Sequence, residues 1–402
     1  MAWAWAPPNV SSLAVQSGGI AFTEWVTLLT LCFAPLVAHL IAGTPLPTYL
    51  SRTRQPKWHD YLCLYSPISI IWRYAAIADR RIRARVWRPV DMAAANAIFW
   101  TEKGWDGTEA VAVRSEKYCV TPPPSSHASV FSWEFIKTAI VTLQGVQSVY
   151  VFGGGIAGTT IMPRFALDTI FFPAAFLGLL RLFAAVWLTD EYAYAVPGKE
   201  ATPSPAGKRD DDVEDDDCLY PDRVDDKTPL SSSFPDISRH HPDTNADVTI
   251  SGHHSQPAAP PQVRTRLSRL FRTIYVTPVI LLWVVTLLFL IPGPWQDSKK
   301  YPHGRTFSLT TFFGNIYAIF FFFAIFAVYS YYAWNHGCRS TVIPCISAPW
   351  YKVLVGATFV GLIPLLVFSA LETRRTPCGV YTTGGREKDD YVCKAFWRAT
   401  ST

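Results

Sequence analysis

Six polar or ionisable residues stand inside otherwise apolar stretches of this sequence: His39, Gln144, Gln147, Asp168, Arg181 and Asn315. Such side chains are costly in hydrocarbon, so where they occur they mark proton relays, solute paths or paired structural contacts. His39 lies near the inner end of its stretch. It fits either a side chain reaching interfacial water or one member of a proton relay. Asp168 and Arg181 share a stretch but are 13 residues apart, about 20 Å along a helix, too far for a direct pair. Each lies towards an end, where a long side chain reaches water by snorkelling. Transport would require His39, Gln144, Gln147, Asp168 and Asn315 to converge on one water-accessible cleft.

Other chemical signals lack their context. Gly153, Gly155 and Gly158 satisfy G-x-G-x-x-G after a strand-like Ser148–Phe152. A dinucleotide site needs a helix straight after the glycines and an acidic residue about 20 positions on. Here Pro163 and a further apolar block follow, so glycines that end a membrane helix or pack closely against a neighbour are the better reading. The histidine pairs His240-His241 and His253-His254 have no Cys or H-E-x-x-H partner. The eight cysteines form no C-x-x-C pair. The acidic run Asp210–Asp217 lacks the spacing of a calcium loop. No metal or cofactor is expected. No P-loop, nucleophile elbow or carboxylate pair is present, and no further feature supports nucleic-acid binding.

The elements that must hold these residues are blocks of about 20 apolar residues, the length a helix needs to cross a bilayer. They predict an all-α membrane protein with about six transmembrane helices, at 25–42, 138–158, 166–188, 274–291, 312–334 and 353–371. Barrel strands are shorter and alternate in polarity; only a helix satisfies the backbone of a block apolar on every face. The first 23 residues carry no Lys or Arg, so the first block reads as a retained span with an outside N-terminal tail, 1–24. With six spans, 25 Lys and Arg fall on inside segments and 10 on outside ones. Five spans give a similar asymmetry, 23 against 12. Asn9-Val10-Ser11 is a glycosylation sequon on the predicted outer side.

The inside linker 189–273 separates two membrane halves, 25–188 and 274–371, and the first half contains a long inside segment of its own. In the basic segment 43–137, Ile71, Tyr74, Ala75, Ala78 and Ile82 recur at helical spacing beside Arg73, Arg80, Arg81, Arg83, Arg85 and Arg88. This pattern predicts an interfacial amphipathic helix on anionic lipid; topology enforcement alone explains the arginines equally well. A second helix is expected over Asp91–Trp100 with Asp91 as N-cap. The segment 189–273 is expected to be a long disordered loop, with ten prolines within 197–261. At its end Arg264, Arg266, Arg269 and Arg272 surround Ser268. They suggest an inner-leaflet contact that phosphorylation would weaken, or simply a positive-inside anchor. A C-terminal tail, 372–402, follows the last span.

Several strings together carry a family resemblance: Thr23–Leu31, Asp91–Ala97, Trp187–Tyr192, Val342–Cys345 and Trp350–Lys352. The chain resembles a group of uncharacterised multi-pass integral membrane proteins of filamentous fungi. That group has no assigned activity, so the resemblance implies a fungal origin and no catalytic residues. Few ionisable groups in the spans and long charged inside segments favour a non-enzymatic scaffold or sensor. A small-solute or ion transporter and a membrane-embedded enzyme are the alternatives. Either the plasma membrane or an endomembrane fits.

Overall fold

The structure, a computed structural model, describes residues 9–51, 54–156, 166–195, 262–290, 306–385 and Cys393. Its helices are α1 (Phe22–Gly43), α2 (Trp58–Leu64), α3 (Pro67–Arg83), α4 (Pro89–Asn96), α5 (Glu109–Arg114), α6 (Trp133–Ile156), α7 (Phe172–Gly178), α8 (Gln262–Leu290), α9 (Leu309–His336) and α10 (Pro349–Glu372). Among the described residues nine short strands accompany them: β1 (Asn9–Val10), β2 (Pro47–Tyr49), β3 (Ile98–Thr101), β4 (Gly104–Asp106), β5 (Cys119–Thr121), β6 (Ala193–Tyr194), β7 (Thr306–Phe307), β8 (Arg374–Arg375) and β9 (Tyr381–Thr382). Among the described residues, four helical stretches are long and apolar enough to cross a membrane: Phe22–Gly43, Thr265–Leu290, Leu309–His336 and Pro349–Glu372. Their outer faces expose large apolar side chains such as Ile41, Leu281, Phe323 and Val360. Contiguous apolar surface of this kind needs lipid or another protein to cover it, and together with the span lengths it makes this a membrane-embedded helical protein.

Local chemistry sets the helix ends. Ser308 caps α9 by accepting from the Thr311 N–H at 3.2 Å, and Gly337 ends it with φ 63°, a left-handed geometry glycine adopts without strain. Pro67, Pro89 and Pro349 occupy first helical positions of α3, α4 and α10, where a missing N–H costs nothing. Asp91 is not the N-cap of α4. It is the third helical residue, three positions beyond the N-cap Arg88, and accepts from the Arg88 N–H at 3.0 Å. That helix stops at Asn96, because Ile98–Thr101 pairs in parallel with β2 and antiparallel with β4.

The polar contacts gather at two ends of the bundle. At one end β1 pairs with β7, Gln16 N–H donates to Leu371 O (2.9 Å), Leu167 N–H to Thr373 Oγ1 (3.1 Å), and Arg375 pairs with Glu24. Cys378 and Cys393 form a disulfide there, beside the β8–β9 hairpin. The other end collects α2 to α5, β2 to β4, residues 185–195, the start of α8 and the α9–α10 turn. Residues 44–132 form a cap on it. Trp72 Nε1 donates to Ser340 O (2.9 Å), Trp105 Nε1 to Asp60 O (3.0 Å), and Ser69 and Tyr351 share a hydrogen bond of 2.7 Å.

Three further expectations change on this fold. The segment 166–188 is not one helix. It consists of 3-10 turns at Leu167–Thr169, Leu179–Phe183 and Ala185–Trp187 around the seven residues of α7. Pro173 and Gly178 both oppose a continuous helix here. It packs antiparallel to α6, with Ser148 Oγ donating to Phe172 O at 2.8 Å. A side chain on Gly145 or Gly178 would collide with Leu179 or Val141 respectively, so the close approach uses these glycines. Next, α3 is not a surface helix. Every residue from Pro67 to Asp79 is buried, enclosed by α1, α8, α9 and residues 179–183. Finally, the expected loop 189–273 is shortened at both ends: 193–194 pair with β5, and 262–273 belong to α8. Residues 196–261, with the acidic run and both histidine pairs, lie outside the described residues, as do Gly158 and Pro163.

Candidate functional site

The site with the most concentrated chemistry lies at the cap end, where α1 stops. Its last carbonyls have no intrahelical donors, and two guanidiniums serve them. Arg181 Nη1 donates to Ala42 O, and Arg73 Nη1 donates to Gly43 O at 2.9 Å. Cations at a helix C-terminus also meet the negative end of its dipole. Arg181 is fully buried and makes a full set of contacts. Its Nη2 pairs with Glu134, its Nε donates to Thr138 Oγ1 (2.8 Å), and its Nη1 also reaches the Tyr74 hydroxyl (3.1 Å). Lys137 bridges Glu134 (2.6 Å) and Asp190 (3.1 Å). Arg73 completes the cluster through Nη2 with Asn96 Oδ1 at 3.2 Å. Asn96 in turn donates to Met92 O and Trp187 O and accepts from the Thr189 N–H. Burial pushes the Arg73 guanidinium below its ordinary value, against the opposing pull of Tyr192, Tyr74 and Glu134.

A second cluster ties α3 to α8. Asp79, without solvent exposure, accepts from Arg83 Nε at 2.8 Å and from the Ser268 hydroxyl, with Arg272 Nε at 3.5 Å. Arg272 also donates to Ser268 Oγ (2.9 Å) and Ala333 O (2.8 Å), joining α8 to the end of α9. Burial pushes the Asp79 carboxyl up from its usual value, while Ser268 and Arg83 pull it down. A third contact joins α10 to α2, with Lys352 Nζ 2.5 Å from Asp60 Oδ1 and 3.2 Å from His59 Nδ1. Burial raises the Asp60 carboxyl, but Lys352 and the Lys57 N–H outweigh it and hold it below the ordinary carboxylate range.

These clusters account for several sequence candidates and correct others. Arg181 does not snorkel: it is drawn inward by Glu134, Thr138 and the Ala42 carbonyl. Arg73 does not meet lipid, for the same reason of inward partners. Arg83 spends itself on Asp79 and Glu109, Arg81 stacks on Trp87 at 5.8 Å, and Arg88 pairs with Asp91 and Glu116. Arg80 is half-buried and Arg85 exposed. Arg266 and Arg269 are exposed on α8, Arg272 is engaged as above, and Arg264 lies in the helix's first turn. Ser268 is buried against Asp79, so it is not an accessible phosphorylation site. Asn9 lies at the disulfide end.

The intramembrane candidates do not converge. His39 is buried at the cap end, and neither ring nitrogen has a hydrogen-bond partner among the described residues. Asp168 is at the opposite end, with a buried Oδ1 lacking a hydrogen-bond partner among the described residues. Asn315 bonds back to Thr311 O in its own helix (3.0 Å). Gln144 is half-buried and Gln147 exposed on α6. None of the five lines the small apolar cavity of about 50 Å³ among α1, α7, α9 and α10, or the larger one of about 820 Å³ at the cap end. No group of His, Cys, Asp and Glu able to hold a metal occurs among the described residues. Glu134, Lys137, Asp190, Asn96, Asp79 and Asp60 escape sequence reasoning. The one signal that points to any of them is that Asn96 and Asp190 lie in two of the strings that carry the family resemblance. Comparisons with protein-family models, with curated proteins and with solved structures gave no match.

Proposed function

We propose that the chain crosses its membrane six times, N-terminus outside, and serves as a non-enzymatic scaffold or sensor presenting its cap on the inner side. The observation that carries the orientation is the sorting of chemistry between the two ends. The Cys378–Cys393 disulfide and the Asn9 sequon share one end; disulfides and N-glycans belong to the oxidising, exoplasmic side. The guanidinium clusters share the other end, as the positive-inside rule expects. The scaffold reading rests on how the buried charges are used. Arg73, Arg181, Glu134 and Asp79 are engaged in contacts that lock the cap to the spans, so they fix a surface. In this reading α6 and the broken segment 166–188 are the second and third crossings, lying antiparallel. The bilayer is the implied partner, and a filamentous-fungal origin is proposed on the resemblance alone.

A topology map tests it. A protease-cleavable tag placed between Pro197 and Pro261 should be cut only from the inner side, and Asn9→Gln should remove a glycan-dependent gel shift. Cleavage of that tag only from outside overturns the orientation.

A further inference from the structure

The cavity of about 820 Å³ opens between the start of α8, the end of α9 and the β4–α5 turn. Its size is that of a small-molecule site. Its charge is unevenly spent. Among the lining residues Glu109 is committed to Arg83, and Arg272 to Asp79 and the Ala333 carbonyl. Asp106 accepts from the Thr108 N–H at 2.9 Å. Arg269 and Arg339 are both exposed, and neither has an ion pair among the described residues. His336 adds a third nitrogenous side chain to the same wall.

The depth of the opening is set by its rim. Trp334, 90% exposed, ends the apolar run of α9; an exposed tryptophan at that position settles at headgroup level. On the face that carries Arg269, α8 continues towards the span with Val276, Ile280 and Leu287, all partly exposed, an apolar track into the bilayer. Two unspent guanidiniums at headgroup depth, continuous with an acyl-chain track, match a phosphate carried on a lipid. Arginine is suited to phosphate through its bidentate fork.

We propose that this cavity is a discrete site for the phosphorylated headgroup of an anionic phospholipid, held by Arg269 and Arg339 with its chains along α8. The site rests on the membrane reading above, which resistance of the full chain to alkaline-carbonate extraction tests separately. The test is native mass spectrometry of the detergent-purified full chain with a phosphatidylinositol phosphate, with phosphatidylcholine, and with soluble inositol phosphate. The phosphoinositide should be retained selectively. Arg269→Gln with Arg339→Gln should weaken it about 30-fold, about 5-fold per arginine. Both residues are exposed, so the folded state should persist. The same two charges removed at exposed cap positions, Arg85→Gln with Arg114→Gln, should change retention little. Equal loss in that control, or no loss in the Arg269/Arg339 variant, overturns the discrete site. Inositol phosphate binding as tightly as the lipid overturns the lipid as its source.

Discussion

Arg181→Met tests whether the buried guanidinium holds the cap to the spans. The substitution keeps an unbranched apolar stem and removes the charge. It strips the donors that serve Ala42 O, Thr138 and Tyr74, and leaves Glu134 buried with Lys137 as its remaining cation. Removing one partner of a buried ion pair costs about 3–5 kcal/mol. Lys137, 2.6 Å from Glu134, recovers part of that, while each lost hydrogen bond costs about 1 kcal/mol. A net loss of about 3 kcal/mol is expected, or about 6–12 °C in the melting midpoint at about 2–4 °C per kcal/mol. Arg181→Lys keeps the charge but not the fork and should fall between wild type and Arg181→Met. Adding Glu134→Gln to Arg181→Met removes the stranded carboxylate and should recover several degrees, since the pair as a whole is worth less than either broken half. The assay is unfolding in detergent followed by cysteine reactivity. The buried free thiols Cys32, Cys63, Cys338 and Cys345 report it. A midpoint within about 1 °C of wild type for Arg181→Met, less than a single kcal/mol would shift it, or further loss on adding Glu134→Gln, refutes the reasoning.

The Asp60–Lys352 contact should show itself in pH dependence. A carboxyl held below its unfolded value contributes stability that is present above about pH 4, the unfolded value. That stability is lost as pH falls through the folded value. Asp60→Asn should therefore melt below wild type at neutral pH, with the gap closing on acidification; a constant gap at every pH contradicts the assignment. Ser268→Glu places a second carboxylate against Asp79 in a site without solvent and should cost about 3 kcal/mol or more. Ser268→Ala, losing a hydrogen bond to a charged group, should cost about 1.5–3 kcal/mol. The fraction running as a single species on gel filtration reads both. Normal behaviour of the Glu variant would mean that Ser268 is accessible after all.

The membrane class is legible in the sequence because hydrocarbon imposes one length on every spanning helix. Expected spans at 25–42, 312–334 and 353–371 fall within four residues of the ends of α1, α9 and α10. The fourth differs at its start, because α8 begins at Gln262. Hydropathy registers lipid depth, and it passes over a polar first section whose Ser268 and Arg272 are held by Asp79. The largest departure is α3. Its apolar period is real, but one stripe of apolar residues says nothing about what covers the other face. Arg73 is covered by Gly43 O and Asn96, and Asp79 by Ser268, partners 30, 23 and 189 positions away. Pairings at such separation leave no local pattern. For the same reason Arg181 resembles a snorkelling end residue in the sequence, when its partners stand on α6 and at the end of α1.

Two arginines converge on α1 because the chain beyond its last turn cannot serve the helix end. Thr44 N–H returns to Leu40 O at 2.9 Å, but position 45 is proline, with no N–H to donate to the last turn, and Pro47 stands two residues on. No glycine beyond the helix end folds its backbone over the exposed carbonyls, as happens at Gly337 after α9. Water is excluded as well, since Ala42 and Gly43 are buried beneath the cap. The Ala42 and Gly43 carbonyls must therefore take donors from elsewhere, and a guanidinium is the side chain with the reach and the number of N–H groups to do so while answering a carboxylate or amide behind it. Arg181 brings α6 with it through Glu134 and Thr138. Arg73 brings the cap through Asn96. The cap thus cannot move away from the end of α1 without stripping buried carbonyls of their donors.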